Sequence, residues 1–487
     1  MEISELQPQL LWKNFYALTR IPRPSGHTAA VAKYLVEFGN AHGAESFLDD
    51  AGNVVMRKGA TPGYEHLETV VLQAHMDMVP QAVKGSHHNF ETDPIDCYID
   101  GDWVRTHGTT LGSDDGMGVA AAMAIIEDDS VAHGPLEVLI TADEETGMYG
   151  ARGLGSDTLK AKYMLNLDSE TEGEITIGCA GGQDVECKMS YEEMDIVSDG
   201  MVAFKISVKG LRGGHSGLEI NECRGNANKL MARILTTVLD SGSGWLCSWH
   251  GGNMRNAIPR DSESVILVST SHIEDVKSIV EGYGLVFNSE YSAVEDGNIL
   301  VEIVECEMPK KAMPDDVQCN LVSAIMASHD GVLRYIPTIP SVVETSSNLA
   351  IINAGDGEIE IGILARSSCD SMKDYLCDSL SCCFTNAGFD VELVGGYGGW
   401  QPNFSSPLVA NMSSVYNQMF GKAPLVQVCH AGLECGIIGV SYPDMDMASI
   451  GPTLLSPHTP DECCHIPSVG KFYSFLLEML KHIPSKS

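Results

Sequence analysis

The chain has 487 residues, of which 44% are hydrophobic and 20% charged, a composition typical of a globular protein. Its 66 Asp and Glu against 30 Lys and Arg give a formal net charge of -36, which argues against nucleic acid or an anionic membrane as partner. The first residues lack the basic and apolar regions of a signal peptide, and no apolar run approaches the roughly 20 residues of a membrane span. We therefore expect a cytoplasmic protein.

The cysteines favour the same compartment. There are 15 of them, an odd number, and none are spaced as Cys-x-x-Cys. We expect most of them to be reduced and to serve as small apolar residues. A zinc-thiolate site at Cys463, Cys464 and His465 is the alternative interpretation of that segment.

The N-terminal third alternates helix and strand patterns. Apolar spacing predicts amphipathic helices at 11–16 and 29–38, a compact strand at 69–74, an Ala- and Met-rich helix at 116–126, and strands at 136–141 and 163–167. Strands separated by helices indicate a helix-covered sheet that is at least partly parallel.

The pattern changes after the glycine-rich segment 178–182. Longer alternating strands are predicted at 202–208 and 264–270, with helices at 226–239 and 273–283, and the chain becomes loop-like near 395–400. We therefore predict an α/β protein whose catalytic domain, a helix-covered mixed sheet, is discontinuous. It comprises 1–182 and 397–487, and an α+β domain at 183–396 is inserted into it.

Polar side chains follow each of the three N-terminal strands, and two more precede the Ala- and Met-rich helix. Ligands of open α/β sheets gather at the carboxyl ends of the strands, so we expect these side chains to meet at one edge. The residues are His75 and Asp77 after the first strand, Asp114 and Asp115 before the helix, Glu144 and Glu145 after the second strand, and Asp168 after the third.

Imidazole and carboxylates together form a suitable ligand set for zinc, manganese or cobalt. Asp77 is placed to accept the second N–H of the His75 ring and so fix its tautomer. Asp114 is the natural candidate for a carboxylate that bridges two metals. Of the adjacent pair Glu144 and Glu145, one can bind metal while the other faces a metal-bound water.

Each of these residues also has an ordinary structural interpretation. A lone histidine after a strand is usually structural, an Asp pair before a helix usually caps it, and a Glu pair is usually a solvated turn. The joint placement at three strand ends favours the metal site. The sequence lacks His-Glu-x-x-His, Gly-x-Ser-x-Gly and the Walker phosphate loop, so other common catalytic classes are not indicated.

Long motifs along almost the whole chain resemble one known family. They are VLQAHMDMVP at 71–80, GTTLG at 108–112, HGPLEVL at 133–139, GCAGG at 178–182, KGL at 209–211, GGHSG at 213–217, RNAIPR at 255–260, HAGLECG at 430–436 and SIGPT at 449–453. The chain resembles the zinc peptidase family of carnosinases, aminoacylases, peptidase T and glutamate carboxypeptidase. Within it, the likeness is to the aminoacyl-histidine dipeptidases of peptidase D type.

The resemblance implies a site with two zinc ions per subunit, for which manganese or cobalt can substitute. It makes His75 and Asp168 terminal ligands of one ion, Glu145 and His458 those of the other, and Asp114 the bridge. Asp77 orients His75, and Glu144 is the general acid and base. His458 comes from the resemblance alone: His465 is an equal candidate until the matching segments around His458 select it.

The inserted domain is implied to be a lid that also forms a homodimer. His215 resembles a lid histidine that polarises the scissile carbonyl in a neighbouring active site. Asn256, Arg366 and Gly432 resemble substrate-binding residues. One departure is that Gly116 follows Asp115 where many relatives have Lys.

The expected activity is hydrolysis of unblocked dipeptides, Xaa-His among them, with broad specificity. A water between the metals would attack, and Glu144 would be the general base. Two alternatives stay open: an aminoacylase-type amide hydrolase of the same family, and a catalytically inactive scaffold or binding protein on the same fold.

Overall fold

The computed structural model describes residues 2–486 and divides the chain into two compact units. Unit 1 comprises 1–179, 400–428 and 433–487, and unit 2 comprises 180–399 with the short segment 429–432. The 15 cysteines are all free thiols, as expected. Within the described residues, no helix is long and apolar enough to cross a membrane.

The helices lie in chain order as follows. They are α1 (Gln9–Thr19), α2 (Ala29–Ala41), α3 (Ser113–Glu127), α4 (Tyr149–Gly153), α5 (Ala227–Asp240), α6 (Ile273–Glu290), α7 (Asp315–Ala327), α8 (Asp370–Asn386), α9 (Pro407–Phe420), α10 (Glu434–Ser441) and α11 (Ile466–Met479). Short 3-10 helices lie at Ile3–Glu5 and Ile220–Glu222.

The strands of the first half are β1 (Glu45–Leu48), β2 (Val54–Lys58), β3 (Val70–His75), β4 (Cys97–Asp100), β5 (Trp103–Thr106), β6 (Leu136–Thr141), β7 (Tyr163–Asn166), β8 (Glu174–Cys179), β9 (Gly181–Ser190), β10 (Met194–Asp195), β11 (Met201–Lys209) and β12 (Gly214–His215). Those of the second half are β13 (Gly244–Gly251), β14 (Ala257–Ile258), β15 (Ser262–Ser269), β16 (Leu300–Glu305), β17 (Lys311–Ala312), β18 (Gly331–Ile336), β19 (Ile339–Gly355), β20 (Glu358–Ser367), β21 (Asp390–Tyr397), β22 (Leu425–Cys429), β23 (Asp446–Ser449), β24 (Leu454–Leu455) and β25 (Cys463–His465).

Unit 1 is built on an eight-stranded mixed sheet in the order β1-β2-β6-β3-β7-β23-β8-β22. Its four central strands, β6, β3, β7 and β23, are parallel, whereas β1 and β2 are antiparallel additions at one edge. Every residue of β3 and β6 is buried, which matches the continuous apolar runs of a parallel sheet covered on both faces. The predicted partly parallel, helix-covered sheet is confirmed.

A second, four-stranded sheet of unit 1 lies in the order β24-β25-β5-β4. The loop between β24 and β25 carries His458. The two cysteines proposed as alternative zinc ligands, Cys463 and Cys464, lie in β25 and are buried. His465 packs on Trp103, with 4.8 Å between ring centroids. These residues therefore serve the packing of this sheet.

Unit 2 contains a sheet in the order β16-β11-β15-β13-β19-β20-β9-β21, with β18 paired to β19. Its pairings are antiparallel, and the apolar faces of α5, α6, α7 and α8 contribute to one core with the strands. This is the α+β pattern expected for the middle of the chain. The segment near 395–400, expected to be a loop, instead continues as β21 to Tyr397 because it pairs with β9.

Helix α5 shows how the apolar stripe of a helix builds this core. Asn226 begins the helix by accepting hydrogen bonds from the backbone N–H groups of Asn228 and Lys229. Leu235 is fully buried in the unit 2 core, whereas Leu285 on the neighbouring α6 is 79% exposed.

These two leucines predict opposite outcomes for the same substitution. Leu235→Ala should lower the free energy of unfolding by about 2–5 kcal/mol, because it removes buried methyl groups and leaves a cavity. Leu285→Ala should change it by less than about 0.5 kcal/mol. Urea denaturation followed by circular dichroism measures both, and equal effects would contradict the assignment of α5 to the core.

Candidate metal centre

The first cluster of the site lies where β3 and β7 end. His75 is the last residue of β3, and Asp168 follows β7 by two residues. The Nε2 atom of His75 lies 3.1 Å from Oδ1 of Asp114 and 3.5 Å from Oδ1 of Asp168. All three side chains are almost fully buried. They form one of the groups whose ligand atoms are close enough to hold a metal ion.

The second cluster joins the loop after β6 to the loop after β24. The Nε2 atom of His458 lies 3.0 Å from Oδ2 of Asp114 and 3.0 Å from Oε2 of Glu145. His458 has a φ of 60°, a conformation uncommon for a residue other than glycine and often found at functional sites. Asp114, Glu145 and His458 form a second group whose ligand atoms are close enough to hold a metal ion.

Asp114 belongs to both clusters through different oxygens. Its Oδ1 faces His75 and its Oδ2 faces His458. Asp114 lies at the start of α3 with a non-helical backbone, so its side chain points to the strand ends and does not cap the helix in the usual way. The structure thus brings together all five residues predicted as metal ligands.

The two predicted catalytic carboxylates lie beside these clusters. Asp77 Oδ1 is 3.4 Å from Nδ1 of His75, too long for a good hydrogen bond, and the carboxylate instead accepts from the Ser25 hydroxyl and the backbone N–H groups of Glu144 and Glu145. It therefore holds the Glu-Glu turn as well as facing His75. Glu144 begins a turn and not an extended segment, so it approaches His75 together with Glu145.

The local electrostatics call for a cation. Burial, with repulsion from Asp114, raises the pKa of Asp168 to about 7, and burial with repulsion from Asp114 and Asp168 raises that of Glu170 to about 8. Hydrogen bonds to Asp114 and Glu145 raise the pKa of His458 to about 11. The raised pKa values mean that these groups hold protons more tightly than usual, because the carboxylates around them lack a compensating positive charge. A donor set of imidazole nitrogens and carboxylate oxygens with this demand fits a divalent metal ion.

The residue predicted to polarise the scissile carbonyl, His215, and those predicted to bind substrate lie in unit 2. Nδ1 of His215 accepts hydrogen bonds from the backbone N–H groups of Gly217 and Leu218, and the carbonyl of Asn256 accepts from Ser216 N–H. Arg366 is buried in β20, with Nε 3.4 Å from the Ser216 hydroxyl.

Gly432 lies beside His430 in the segment that returns to unit 2. His430, which no sequence pattern singled out as a site residue, is buried and shares a hydrogen bond of 2.7 Å between its Nε2 and the Ser346 hydroxyl. A Cβ at Gly217 would lie 2.2 Å from the carbonyl oxygen of His430, so that position has no space for a side chain. His430 thus lies near Arg366 and His215 in unit 2, since both lower its pKa.

Residues 71–482 match the model of peptidase family M20/M25/M40. The chain belongs to this family. A cytosol non-specific dipeptidase of Escherichia coli (strain K12) is 43% identical over 485 residues, and the match covers 100% of both chains. The family and the dipeptidase likeness predicted from the motifs are therefore confirmed, and the chain is a peptidase-family hydrolase with a metal cofactor.

Solved structures agree with this assignment. An aminoacylhistidine dipeptidase from Vibrio alginolyticus matches with a TM-score of 0.92 and 38% identity, covering 100% of this chain and 99% of that one. The aminopeptidase PepT from Bacillus cereus matches with a TM-score of 0.58 at 17% identity, covering 98% and 99%, which shows a shared fold. The predicted α/β fold class with an inserted domain is confirmed.

The buried His430 predicts a measurable acid sensitivity. Burial, with repulsion from Arg366 and His215, lowers the pKa of His430 from 6.5 to about 3. Between these values the unfolded chain binds a proton that the folded chain does not, so stability falls as the pH falls below 6.5 and this effect is absent above it. The free energy of unfolding of the wild type should therefore fall on going from pH 7 to pH 5. That of His430→Gln should fall by about 2 kcal/mol less over the same change.

Urea denaturation at the two pH values measures this difference. His87→Gln, which changes an exposed histidine, is the matched control and should retain the wild-type pH dependence. A His430→Gln variant whose stability falls as steeply with pH as that of the wild type would show that His430 is protonated in the folded protein.

Proposed function

We propose that the chain is a metallo-dipeptidase with two zinc ions per subunit, bridged by Asp114. The observation that carries the proposal is that the two oxygens of Asp114 face two different histidines, each of which is close to one further carboxylate. His75 and Asp168 would complete the first site, and Glu145 and His458 the second. Manganese or cobalt also suits these ligands.

Zinc bound there would supply a Lewis acid that polarises the substrate carbonyl and makes a water acidic near neutral pH. The remaining roles fall to the protein. Glu144 takes the proton from the attacking water and passes it to the leaving amine. Burial, with repulsion from Asp168 and Glu145 and against attraction from His75, raises the pKa of Glu144 well above its usual range, which suits a group that must both accept and give a proton. Asp77 fixes the backbone of the Glu144 turn.

The substrate class comes from the relatives. One full-length relative is named a non-specific dipeptidase and another an aminoacylhistidine dipeptidase. We therefore propose unblocked dipeptides, Xaa-His among them, with broad specificity. His215 is proposed to stabilise the oxygen of the scissile carbonyl, and Asn256, Arg366 and Gly432 to bind the substrate. A cytoplasmic homodimer is proposed on the same resemblance, and the word cytosol in the name of the Escherichia coli relative supports that location.

Metal analysis coupled to substrate panels tests the proposal. Mass spectrometry of the purified protein should find two zinc ions per chain, and hydrolysis of Xaa-His and other dipeptides should stop on chelation and return with zinc. Turnover of N-acetyl amino acids in place of dipeptides would favour an aminoacylase. A protein that binds no metal and shows no hydrolysis after zinc addition would be a scaffold.

Glu144→Gln should reduce kcat for a dipeptide by at least about 100-fold, because general acid–base catalysis contributes 10²–10⁴-fold. Its zinc content should stay at the wild-type value, since Glu144 is proposed to handle protons and not to bind metal. Asp143→Asn is the matched control: it removes the neighbouring carboxylate charge and keeps an oxygen for the hydrogen bond from Gly26 N–H. A Glu144→Gln variant with wild-type kcat would refute the assigned role.

A further inference from the structure

Two buried charged residues that the ligand set does not include hold the loop that carries Asp114. Arg23 and Glu462 are 2% and 3% exposed, and they come from opposite ends of the chain. Burying an ionised group is costly unless it is fully hydrogen-bonded. Their placement around 111–114 therefore needs an explanation beyond packing.

The carboxylate of Glu462 accepts five hydrogen bonds from the loop 111–114. One carboxylate oxygen accepts from the N–H groups of Leu111 at 2.7 Å and Gly112 at 3.1 Å. The other accepts from Ser113 N–H at 2.7 Å, from the Ser113 hydroxyl at 2.6 Å and from Asp114 N–H at 3.3 Å. The carboxylate thus fixes the backbone of the bridging residue itself.

Glu462 also connects that backbone to the loop of His458. It lies four residues beyond His458, and its own N–H donates to the carbonyl of Thr459 at 3.1 Å. One short stretch of chain therefore carries a predicted ligand and the group that holds the bridging Asp114. The distance between Asp114 and His458 depends on this connection.

Arg23 contacts the same loop through its guanidinium group. Its Nη1 donates to the carbonyls of Met76 at 2.9 Å and Asp77 at 3.0 Å, directly after His75. Its Nη2 donates to the carbonyl of Gly112. The planar guanidinium thus ties the loop after β3 to the loop before α3, which a flexible ammonium group cannot do in the same fixed geometry.

Two glycines make the space that this guanidinium occupies. A Cβ at Gly112 would lie 2.7 Å from Nη2 of Arg23, and a Cβ at Gly116 would lie 2.5 Å from the same atom. Gly116 has an ordinary backbone conformation, so the Arg23 and Phe15 side chains, and not backbone strain, oppose a side chain there. The departure at Gly116 seen in the sequence thus has a structural reason.

We propose that Arg23 and Glu462 are positioning residues that set the separation of the two metal sites by fixing Asp114 between His75 and His458. Arg23 holds the side of His75, and Glu462 holds the side of His458. The inference rests on the proposed two-metal function. Its consequence is that each residue controls metal affinity without touching the metal.

The test measures zinc affinity of the full-length protein by competition with a chromophoric chelator. Glu462→Gln replaces one accepting oxygen by an N–H₂ group that faces backbone N–H donors, and zinc affinity should fall about 10–100-fold, as for other residues that orient metal ligands. Arg23→Lys should also weaken zinc binding, because lysine keeps the positive charge but lacks the planar guanidinium that bonds to both loops. Asp461→Asn is the matched control, since it removes an exposed neighbouring charge and should bind zinc like the wild type.

Melting temperature and dipeptide kinetics are measured on the same samples. With saturating zinc, the variants should regain most of kcat at an unchanged KM. A folded Glu462→Gln or Arg23→Lys variant with a lowered melting temperature and wild-type zinc affinity would overturn the proposal, because that is the result of a purely structural role.

Two milder variants decide the question if Glu462→Gln or Arg23→Lys does not fold. Ser113→Ala removes one of the five hydrogen bonds to Glu462, and Gly116→Ala displaces Arg23 without changing it. Both should weaken zinc binding, and wild-type affinity in both would overturn the proposal. A wild type that binds two zinc ions and cleaves no dipeptide would refute the proposed function alone.

Discussion

The shared carboxylate of Asp114 is the constraint on which the rest of unit 1 depends. Placing several carboxylates beside His75 in one buried space is unfavourable unless positive charge is added, because burial penalises each ionised group. The raised pKa values of Asp168 and Glu170 result from this burial and from repulsion between the carboxylates. The parallel sheet brings the predicted ligands from separate strand ends to one edge, where a divalent cation would balance their charge.

The sheet that delivers the ligands was largely predictable. The buried strands β3, β6 and β7 carry continuous apolar runs, and such runs with helices between them specify parallel pairing. Once the strands are parallel, the polar residues that follow them must meet. His75, Asp168 and the pair Glu144 and Glu145 were therefore predictable as candidates from local patterns, and Asp114 followed from its place before a buried helix. The choice of Glu145 over Glu144 as ligand came from the family resemblance.

Other parts of the site carry no local signal. His458 lies more than 280 residues beyond Asp168 in sequence, between two short strands, and only the family resemblance separated it from His465. Arg23 and Glu462 resemble ordinary surface charges in the sequence, since their burial results from tertiary contacts with a distant loop. The prediction that Asp77 would hydrogen-bond His75 was incomplete for the same reason: the turn of Glu144 competes for that carboxylate, and only the folded loop shows it.

In both units, backbone N–H groups hold a side chain of the site in a fixed orientation. In unit 1, the N–H groups of 111–114 hold the carboxylate of Glu462. In unit 2, the N–H groups of Gly217 and Leu218 donate to Nδ1 of His215. These two hydrogen bonds fix the orientation of the His215 ring, the group proposed to stabilise the oxygen of the scissile carbonyl.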